Sequence, residues 1–406
     1  MALAPSQRSF RLMLVYQLTQ HIPLYWPYML YYVTAVRGLP VSDFGLLKSI
    51  YYFAVMAVEV PFGVVADRLG RRVTLLLGAL GYASSCALYA GGRSFAAYAA
   101  AELCAACGTA FQSGADSALL YDAYAADGRT HEFARARGAI EAAGLAGAAV
   151  AFPAAGLLVT ASGDPTATYW WTMGIAFVGV AAALAMREPP QTLKPELRSH
   201  LTETVRDLGR SPTLIPILLF SSLVYLALRA ANALVWNPVL EQAGVPLRAY
   251  GALTAVVTLL AAFTAWRAHD WRARIGERPL ALIAAGSVTA MFAMLPLATG
   301  APAAALLLTH GFALGIVPVL VIDMLNRGIE SSERRATLLS FESLLQRGSY
   351  GVIVYAASVA LEHSSLAAVL LGFAVTAGAA TALVPLITRG SAAHDAAAGD
   401  HQHRAQ

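Results

Sequence analysis

Three stretches of this chain place charged, amide and hydroxyl side chains at helical spacing inside otherwise apolar sequence. They contain Gln17, Gln20, His21 and Tyr25; Glu102, Thr109, Gln112 and Asp116; and Ser222, Tyr225, Arg229, Asn232 and Trp236. Spacings of three, four and seven residues put the members of a set on one face of a helix. Ionisable side chains inside a membrane are costly and usually face a cavity or a charged partner. These faces therefore predict a pathway for protons and a small organic substrate.

We expect coupling and substrate binding to depend most on Asp116 and Arg229, because each is a charge near the middle of an apolar run. The alternative is a structural ion pair, for example between Asp116 and Arg229 or Arg347. For Glu102 and His21 both interpretations stay open. The predicted pathway residues are Gln17, His21, Glu102, Gln112, Asp116, Arg229, Asn232, Trp236 and Arg347.

A second group of charges lies in connectors between apolar runs. Between the runs 43–66 and 73–92 the chain reads Asp67-Arg68-Leu69-Gly70-Arg71-Arg72, and Gly63 lies four residues before Asp67. Arginine is costly in hydrocarbon and concentrates on the cytoplasmic side of membranes, so this stretch predicts a tight cytoplasmic turn. The alternative is that these charges only set the topology.

The elements that must position these residues are membrane-spanning helices. A helix needs about 20 mostly apolar residues to cross a bilayer. Twelve stretches meet this requirement: 11–36, 43–66, 73–92, 95–122, 137–160, 168–187, 213–240, 246–268, 279–298, 301–326, 336–361 and 366–388. The predicted fold class is therefore an all-α membrane protein with twelve transmembrane helices.

The composition agrees with this fold class and excludes several functions. Of 406 residues, 58% are hydrophobic and 13% charged, against about 25% charged in ordinary soluble domains. The net charge of +4 comes without a basic tract interleaved with aromatics, so no nucleic-acid partner is expected. Cys86, Cys104 and Cys107 all lie in apolar runs, and no disulfide or metal site is expected. No phosphate-binding loop or nucleophile–base pair occurs, so we expect neither an enzyme nor a cofactor.

The distribution of Lys and Arg predicts the orientation. With the N-terminus inside, cytoplasmic connectors and span ends hold 22 of the 28 basic residues, and the outer loops hold three. Both termini are therefore expected in the cytoplasm. We also expect the protein to be a monomer in the inner (plasma) membrane. The residues before the first span carry Arg8 and Arg11, and that span is too long and too polar for a cleavable signal peptide.

The longest connector divides the chain into two halves that look duplicated. The predicted domains are 1–187 and 213–388, joined by a linker 188–212 and followed by a tail 389–406. Leucine and valine at helical spacing in the linker predict an amphipathic helix on the inner membrane surface, although a disordered linker is the alternative. Adding 201 to Asp122, Glu132 and Glu141 gives Asp323, Glu333 and Glu342. Six-plus-six repeats are typical of transporters.

The 63–72 stretch resembles the loop between helices 2 and 3 of the major facilitator superfamily. The stretch from Asp122 through Arg135, Arg137 and Gly138 resembles the family's helix 4–5 element. The resemblance implies two six-helix bundles that rock between states, and a pair between Arg71 and Asp122. It also implies that Asp67 caps span 11 near Ala336. The residues of the implied conformational lock are Asp67, Arg68, Gly70, Arg71, Arg72, Asp122, Arg135 and Arg137.

The resemblance leaves the direction of transport open. Proton-coupled exporters of this superfamily carry a Gly-Pro-x-x-Gly-Gly element in helix 5, where this chain reads Phe152-Pro153-Ala154-Ala155-Gly156-Leu157. Their helix 4 arginine would fall at Cys104. We nevertheless expect proton-coupled efflux, because the chain is compact and lacks large outer loops. Proton-coupled uptake is the alternative, and a receptor or scaffold on the same fold is a third possibility.

Overall fold

A computed structural model describes residues 5–20, 22–188, 214–327 and 332–388 of the chain. The expectations for His21, for the 389–406 tail and for all but the first residue of the 188–212 linker lie outside this part. The expected cap of span 11 also lies outside it, because the side chains of Asp67 and Ala336 are not described.

Fourteen helices of seven or more residues account for most of the described chain, and these ranges contain no strand. The helices are α1 Pro5–Gln20, α2 Val41–Leu69, α3 Arg71–Gly91, α4 Phe95–Gln112, α5 Ala115–Ala126, α6 Phe133–Ser162, α7 Thr166–Ala185, α8 Leu214–Ala230, α9 Trp236–Gln242, α10 Tyr250–Ile275, α11 Glu277–Met294, α12 Gly300–Arg327, α13 Ser332–His363 and α14 Leu366–Ile387. The prediction of an all-α fold is confirmed.

Nine helical segments within the described ranges are long and apolar enough to cross a membrane. The predicted spans 1, 4 and 11 are the ones missing from this set. Spans 1 and 4 are each divided into shorter helices, and span 11 carries several charges, including Glu342 and Arg347. The chain is a multi-pass membrane protein, and the count of twelve spans stays a prediction.

The prediction of span 1 as one helix over 11–36 was wrong. The α1 helix ends at Gln20, and the chain continues as a 3₁₀ turn at Trp26–Tyr28, a short helix at Met29–Tyr31 and a π-helix at Tyr32–Val36. Pro27 occupies the first turn of the Trp26–Tyr28 segment. Proline lacks a backbone N–H and cannot continue a preceding helix, which explains a new start at this position.

The prediction of span 4 as one helix over 95–122 was also wrong. The α4 helix ends at Gln112, and α5 begins at Ala115 after Gly114, whose φ of 77° is left-handed. Glycine adopts this conformation without a steric penalty. The break changes the phase of the helix, so Glu102, Thr109 and Gln112 do not share one continuous helical face with Asp116, contrary to the expectation.

Span 7 is a third irregular segment. A π-helix at Ala231–Val235 separates α8 from α9, which begins at Trp236. Pro238, in the first turn of α9, has no N–H to donate to a carbonyl of the preceding turn, which favours the wider turn at this point. The extra residue of a π-turn changes the relative direction of Arg229 and Trp236 from that expected for an uninterrupted helix.

The described chain forms two compact units. Unit 1 comprises Met1–Lys194, Val245–Leu259 and Val354–Glu362, and unit 2 comprises Pro195–Gly244, Leu260–Ile353 and His363–Gln406. The expected division into a bundle over 1–187 and a bundle over 213–388 stays a prediction.

In unit 1, helix α3 packs against α4 and α7, and α2 packs against α4. The α3–α4 contact is close because its residues are small. A Cβ atom added to Gly108 would lie 2.9 Å from the Gly78 carbonyl oxygen, and one added to Gly81 would lie 2.8 Å from the Cys104 carbonyl oxygen. Small residues allow membrane helices to approach closely enough for backbone contact. A buried cluster around Met13, Tyr16, Leu75, Leu119 and Ile140 joins α1, α3, α5 and α6.

In unit 2, helix α11 packs against α14 and α12, and α8 packs against α14. Phe292 of α11 and Phe373 of α14 are both buried, with ring centroids 5.5 Å apart. Residues of α12 pack closely on α10, where a Cβ atom added to Gly315 would lie 2.9 Å from the Ala265 backbone nitrogen. These contacts hold the ends of α10, α11 and α12 in place, where the charges of unit 2 gather.

Candidate functional site

Asp116 lies in the first turn of α5, immediately after the break at Gly114. Its carboxylate accepts a hydrogen bond of 2.5 Å from the Gln17 amide and one of 2.6 Å from the Arg137 guanidinium. It also accepts one from the Ser117 backbone N–H at 2.6 Å. The side chain is only 11% exposed. The first turn of a helix favours an anion, since its backbone N–H groups point toward it.

The cation that neutralises Asp116 within unit 1 is Arg137, whereas the sequence analysis considered Arg229 or Arg347. Arg137 is 29% exposed and also contacts Glu141 at 2.6 Å. The structure therefore connects an expected pathway residue, Asp116, to a residue expected in the lock, Arg137. Gln17 joins the same group, and Gln112 donates a 3.1 Å hydrogen bond to Gln20 nearby on α1.

Glu102 belongs to a second buried ion pair in unit 1. Lys48 of α2 donates to its carboxylate at 2.5 Å, and the Tyr89 hydroxyl of α3 donates to the same oxygen. The side chains of Lys48 and Glu102 are 10% and 4% exposed. The sequence analysis left the role of Glu102 open and gave Lys48 none, because no spacing in the sequence indicates that α2 and α4 bring these two side chains together.

The expected pair of Arg71 and Asp122 is present. The Arg71 guanidinium donates to the Asp122 carboxylate and to the Ala118 carbonyl oxygen, the latter at 2.5 Å. Arg72 donates to the Leu184 carbonyl oxygen at 2.6 Å. Gly70 connects α2 to α3 with a φ of 86°, a left-handed conformation that explains glycine at this position.

Glu188 is a member of this group that the sequence analysis missed. Its two carboxylate oxygens accept hydrogen bonds of 2.8 Å from the backbone N–H groups of Arg71 and Arg72. The side chain therefore satisfies two donors at the start of α3, where an anion is stabilised by the helix dipole. Arg68 and Arg135, which the analysis also assigned to the lock, are exposed.

Unit 2 holds a corresponding cluster of four charges. Arg272 of α10 pairs with Asp323 of α12, and Arg327 of α12 pairs with Glu277 of α11. Cross contacts join the two pairs, from Arg272 to Glu277 at 3.2 Å and from Arg327 to Asp323 at 3.3 Å. Gly276 precedes Glu277 with a φ of 86°, the same value as Gly70. The sequence analysis found Asp323 through the repeat but missed the two arginines.

The polar residues expected on span 7 lie around the π-helix of unit 2. Arg229 is exposed at the end of α8, and its guanidinium lies 5.5 Å from the centre of the Tyr225 ring. Trp236 is buried, and its ring centroid is 5.9 Å from that of buried His310 on α12. Asn232 and Arg347 are half-buried. The Trp236 ring nitrogen and the His310 Nδ1 have no hydrogen-bond partner within the part of the chain that the structure describes.

A small hydrogen-bonded group outside the spans joins the start of α1 to the turn after α5. The Ser6 backbone N–H donates to the Asp127 carboxylate at 2.7 Å, and Arg129 donates to Glu132 at 2.6 Å. The hydrogen bonds from the Ser6 side chain and backbone hold the pKa of Asp127 below its ordinary value of 3.8.

The described residues contain no group of three His, Cys, Asp or Glu side chains that could hold a metal ion. Within the same ranges the three cysteines are free thiols.

Solved structures with a similar fold include three transporters. A nucleoside transporter, NupG, superposes with a TM-score of 0.79 at 13% identity, covering 95% of this chain and 99% of its own. A bacterial homologue of the human lysosomal transporter Spinster, inward-facing and unoccupied, gives 0.75 at 16% identity, covering 96% and 98%. A D-xylose–proton symporter gives 0.70 at 13% identity, covering 93% and 96%. None of the curated proteins matches this sequence.

The family model of the Major Facilitator Superfamily matches residues 14–353, which include both charged clusters and nearly all of the helices. The resemblance seen in the 63–72 loop is thereby confirmed, and a transporter rather than an enzyme is the appropriate description. The chain belongs to the major facilitator superfamily.

Proposed function

We propose that this protein is a proton-coupled secondary transporter of a small organic molecule, monomeric in the inner (plasma) membrane, with both termini in the cytoplasm. The observation that carries the proposal is the Asp116 site, in which Gln17 and Arg137 surround a buried carboxylate at a break in span 4. A charged residue within a membrane segment costs at least about 2.5 kcal/mol on insertion scales, so its presence needs a function or a partner.

Asp116 can act as a switch because its protonation changes what its neighbours contact. The ionised carboxylate accepts from Gln17 and neutralises Arg137. A proton on Asp116 removes that charge, weakens the contact with Arg137 and leaves the guanidinium to Glu141. Gly114, with its left-handed backbone, provides a point at which α5 can change direction relative to α4. Proton binding would in this way bias the equilibrium between two conformations.

Arg229 is the residue that we propose for substrate binding. It is a guanidinium exposed in the middle of an apolar segment and lies beside the Tyr225 ring. Such a group favours a substrate that carries a negative charge, alone or in a zwitterion. Three neighbours would contribute hydrogen-bonding groups to the pathway: Asn232 of the π-helix, Trp236 at the start of α9 and His310 of α12.

The Arg71–Asp122 pair and its neighbours would lock one conformation of the transporter. Four charges in a short turn exceed what topology requires, and acids do little to set topology. Asp122 is 2% exposed in this pair, so its separation from Arg71 would be costly unless another partner replaced the guanidinium. The lock assignment covers the eight residues named in the sequence analysis, of which Asp67, Arg68 and Arg135 are supported by their sequence positions alone.

Export is the direction that we propose first, with a proton entering as the substrate leaves. It is supported by the compact chain, in which the described connectors expected outside are short, such as Gly92–Ser94 and Gly163–Pro165. Uptake by proton symport is the second candidate. It is favoured by the fold similarity to a D-xylose–proton symporter.

Substrate-driven proton flux in proteoliposomes tests the proposal. The lumen would hold a pH-sensitive dye, and neutral, anionic, zwitterionic and cationic organic compounds would be added outside one at a time. If an antiporter imports the added compound, the lumen becomes more alkaline, whereas a symporter makes it more acidic. We expect flux with an anionic or zwitterionic compound. Proton flux with none of the classes, in vesicles shown to contain inserted protein, would contradict proton coupling.

The Arg229 assignment has its own test in the same vesicles. Arg229→Ala should raise the half-saturating concentration of the anionic or zwitterionic compound, while Arg229→Lys should retain part of the affinity, since it keeps the charge but not the planar fork. An exposed cation on another helix, Arg274→Ala, is the matched control. Unchanged affinity in Arg229→Ala would move substrate binding to another residue.

A further inference from the structure

We infer that Glu102, paired with Lys48, is a second proton-binding site of this transporter, separate from Asp116 and on the other part of the broken span 4. The inference rests on the proposed proton coupling and names a further group that carries it. It comes from the buried contact among Glu102, Lys48 and Tyr89, three side chains from three different helices.

The geometry places one carboxylate among groups that respond to its charge. Lys48 and Tyr89 both donate to Oε1 of Glu102. The Tyr25 and Tyr169 rings also lie close enough for their hydroxyls to interact electrostatically with this carboxylate. Among the described residues, Lys48 is the cation that contacts this carboxylate. Its ammonium group also lies 5.5 Å from the centre of the Phe44 ring.

Aromatic rings enclose the pair on one side. Tyr89 stacks between Tyr98 and Tyr169, with ring centroids 5.1 Å apart in each case. Tyr169 stacks in turn on Tyr25 at 4.6 Å. The Tyr169 hydroxyl is buried, and it has no hydrogen-bond partner in the described ranges of the chain. A buried hydroxyl without a partner can form a hydrogen bond with a side chain that changes its position.

The charge balance explains why a proton would act here. The pair of Lys48 and Glu102 carries no net charge while both are ionised. A proton from the bulk that forms an O–H bond on Glu102 leaves a net charge of +1, since the Lys48 ammonium keeps its own protons. An unpaired charge in a site of low dielectric constant is unfavourable, so the protonated state favours a conformation in which Lys48 finds water or another acceptor.

A purely structural ion pair is the competing explanation, and a paired replacement separates the two. Removing one partner of a buried pair strands the other, whereas replacing both with neutral groups of similar shape is often tolerated. The double variant Lys48→Met/Glu102→Gln is therefore expected to fold even if Glu102→Gln alone does not, so the inference can still be tested. Asp116→Asn serves as the comparison, because it removes the other proposed proton site and leaves this pair intact.

The test is infrared difference spectroscopy of the full-length protein in lipid vesicles during a pH titration. Only a protonated carboxyl group gives the acid C=O band. We expect a component of that band in the wild type to be absent from Lys48→Met/Glu102→Gln and retained in Asp116→Asn. If the double variant shows the same titrating bands as the wild type, Glu102 stays ionised and the inference is overturned.

Proton flux provides the second readout, with the compound that drives the largest flux in the wild type as the probe. We expect the flux of the double variant to be at least about tenfold lower than that of the wild type, which corresponds to roughly 1.4 kcal/mol in the activation barrier. Wild-type flux in the double variant would overturn the inference while leaving the proposed function intact. Absence of flux in the wild type would instead overturn the proposed coupling, and the infrared result would show separately whether Glu102 titrates.

Discussion

Units 1 and 2 each hold an Arg–Asp pair whose members are 51 residues apart, but the two pairs differ in burial. In unit 1, Arg71 and Asp122 are 13% and 2% exposed, and the Asp122 carboxylate pairs with the Arg71 guanidinium. In unit 2, Arg272 and Asp323 are 27% and 41% exposed. Asp323 also contacts Arg327.

The difference in burial predicts unequal roles for the two pairs. Removing one member of a buried pair strongly destabilises the protein, because the remaining charge stays in a poorly solvated place. An exposed pair in a network keeps both water and a second partner. We therefore expect the Arg71 pair to control the conformational change and the Arg272 cluster to contribute mainly to local stability.

Arg71→Ala should have the largest effect of the substitutions in the two clusters. It strands the buried Asp122 carboxylate, which for buried pairs costs about 3–5 kcal/mol. The expected result is a loss of substrate-driven proton flux and a lower thermal unfolding temperature of the purified protein. Arg11→Ala is the matched control, because Arg11 is an exposed arginine of unit 1 that lies outside the proposed lock. Equal behaviour of the two variants would show that the turn only sets topology.

Arg272→Ala should have a smaller effect, about 1 kcal/mol or less, as for exposed ion pairs. In this variant Asp323 and Glu277 both keep their contacts with Arg327. The double variant Arg272→Ala/Arg327→Ala should lose more stability than the sum of its parts, because Glu277, which is 9% exposed, then has neither cation. Strict additivity in this cycle would mean that the four charges do not act as a network.

Glu188→Ala should lower the free energy of unfolding by about 0.5–2 kcal/mol, as the loss of a helix cap does. This effect is smaller than that expected for Arg71→Ala. Glu188→Gln keeps one acceptor for the N–H groups of Arg71 and Arg72 and should lose less, chiefly the interaction with the helix dipole. Thermal unfolding of the two variants side by side provides the measurement. A loss as large as that of Arg71→Ala would place Glu188 in the lock itself.

Asp127→Asn should have the smallest effect and a defined dependence on pH. The lowered pKa of Asp127 means that its contribution to stability is present above the pKa of the unfolded chain and is lost as the pH falls through the folded value, below 3.8. The unfolding temperatures of wild type and variant should therefore differ slightly at about pH 7 and converge as the pH falls below 3.8. A difference that grows on acidification would contradict the assignment of this shift to Ser6.

The sequence was sufficient for the fold class and for one of the two Arg–Asp pairs. Hydropathy located most spans because length and apolarity are local properties, and the resemblance placed Arg71 beside Asp122. The offset of 201 that relates Asp122 to Asp323 also relates Arg71 to Arg272, so the second pair could have been found from the repeat.

Other parts of the site depend on packing and could not be found from spacing. Lys48 contacts Glu102 because α2 and α4 lie side by side. Glu188 contacts the start of α3 because α7, which precedes Glu188 in the chain, packs against α3. The break at Gly114 moved Asp116 out of the expected helical face and next to Arg137. A glycine within an apolar run is compatible with an unbroken membrane helix, so the sequence did not indicate that break.

The central claim is that a proton on Asp116 drives transport, and gradient-driven accumulation in proteoliposomes tests it most directly. Wild type, Asp116→Asn and the surface control Asp270→Asn, whose carboxylate pairs with Arg267 at 2.8 Å, would be compared at equal insertion. The account predicts that wild type and control accumulate the compound when a pH gradient is imposed. Asp116→Asn should still carry the compound across the membrane, but only until its concentrations inside and outside are equal. Gradient-dependent accumulation by Asp116→Asn at the wild-type level would contradict the account.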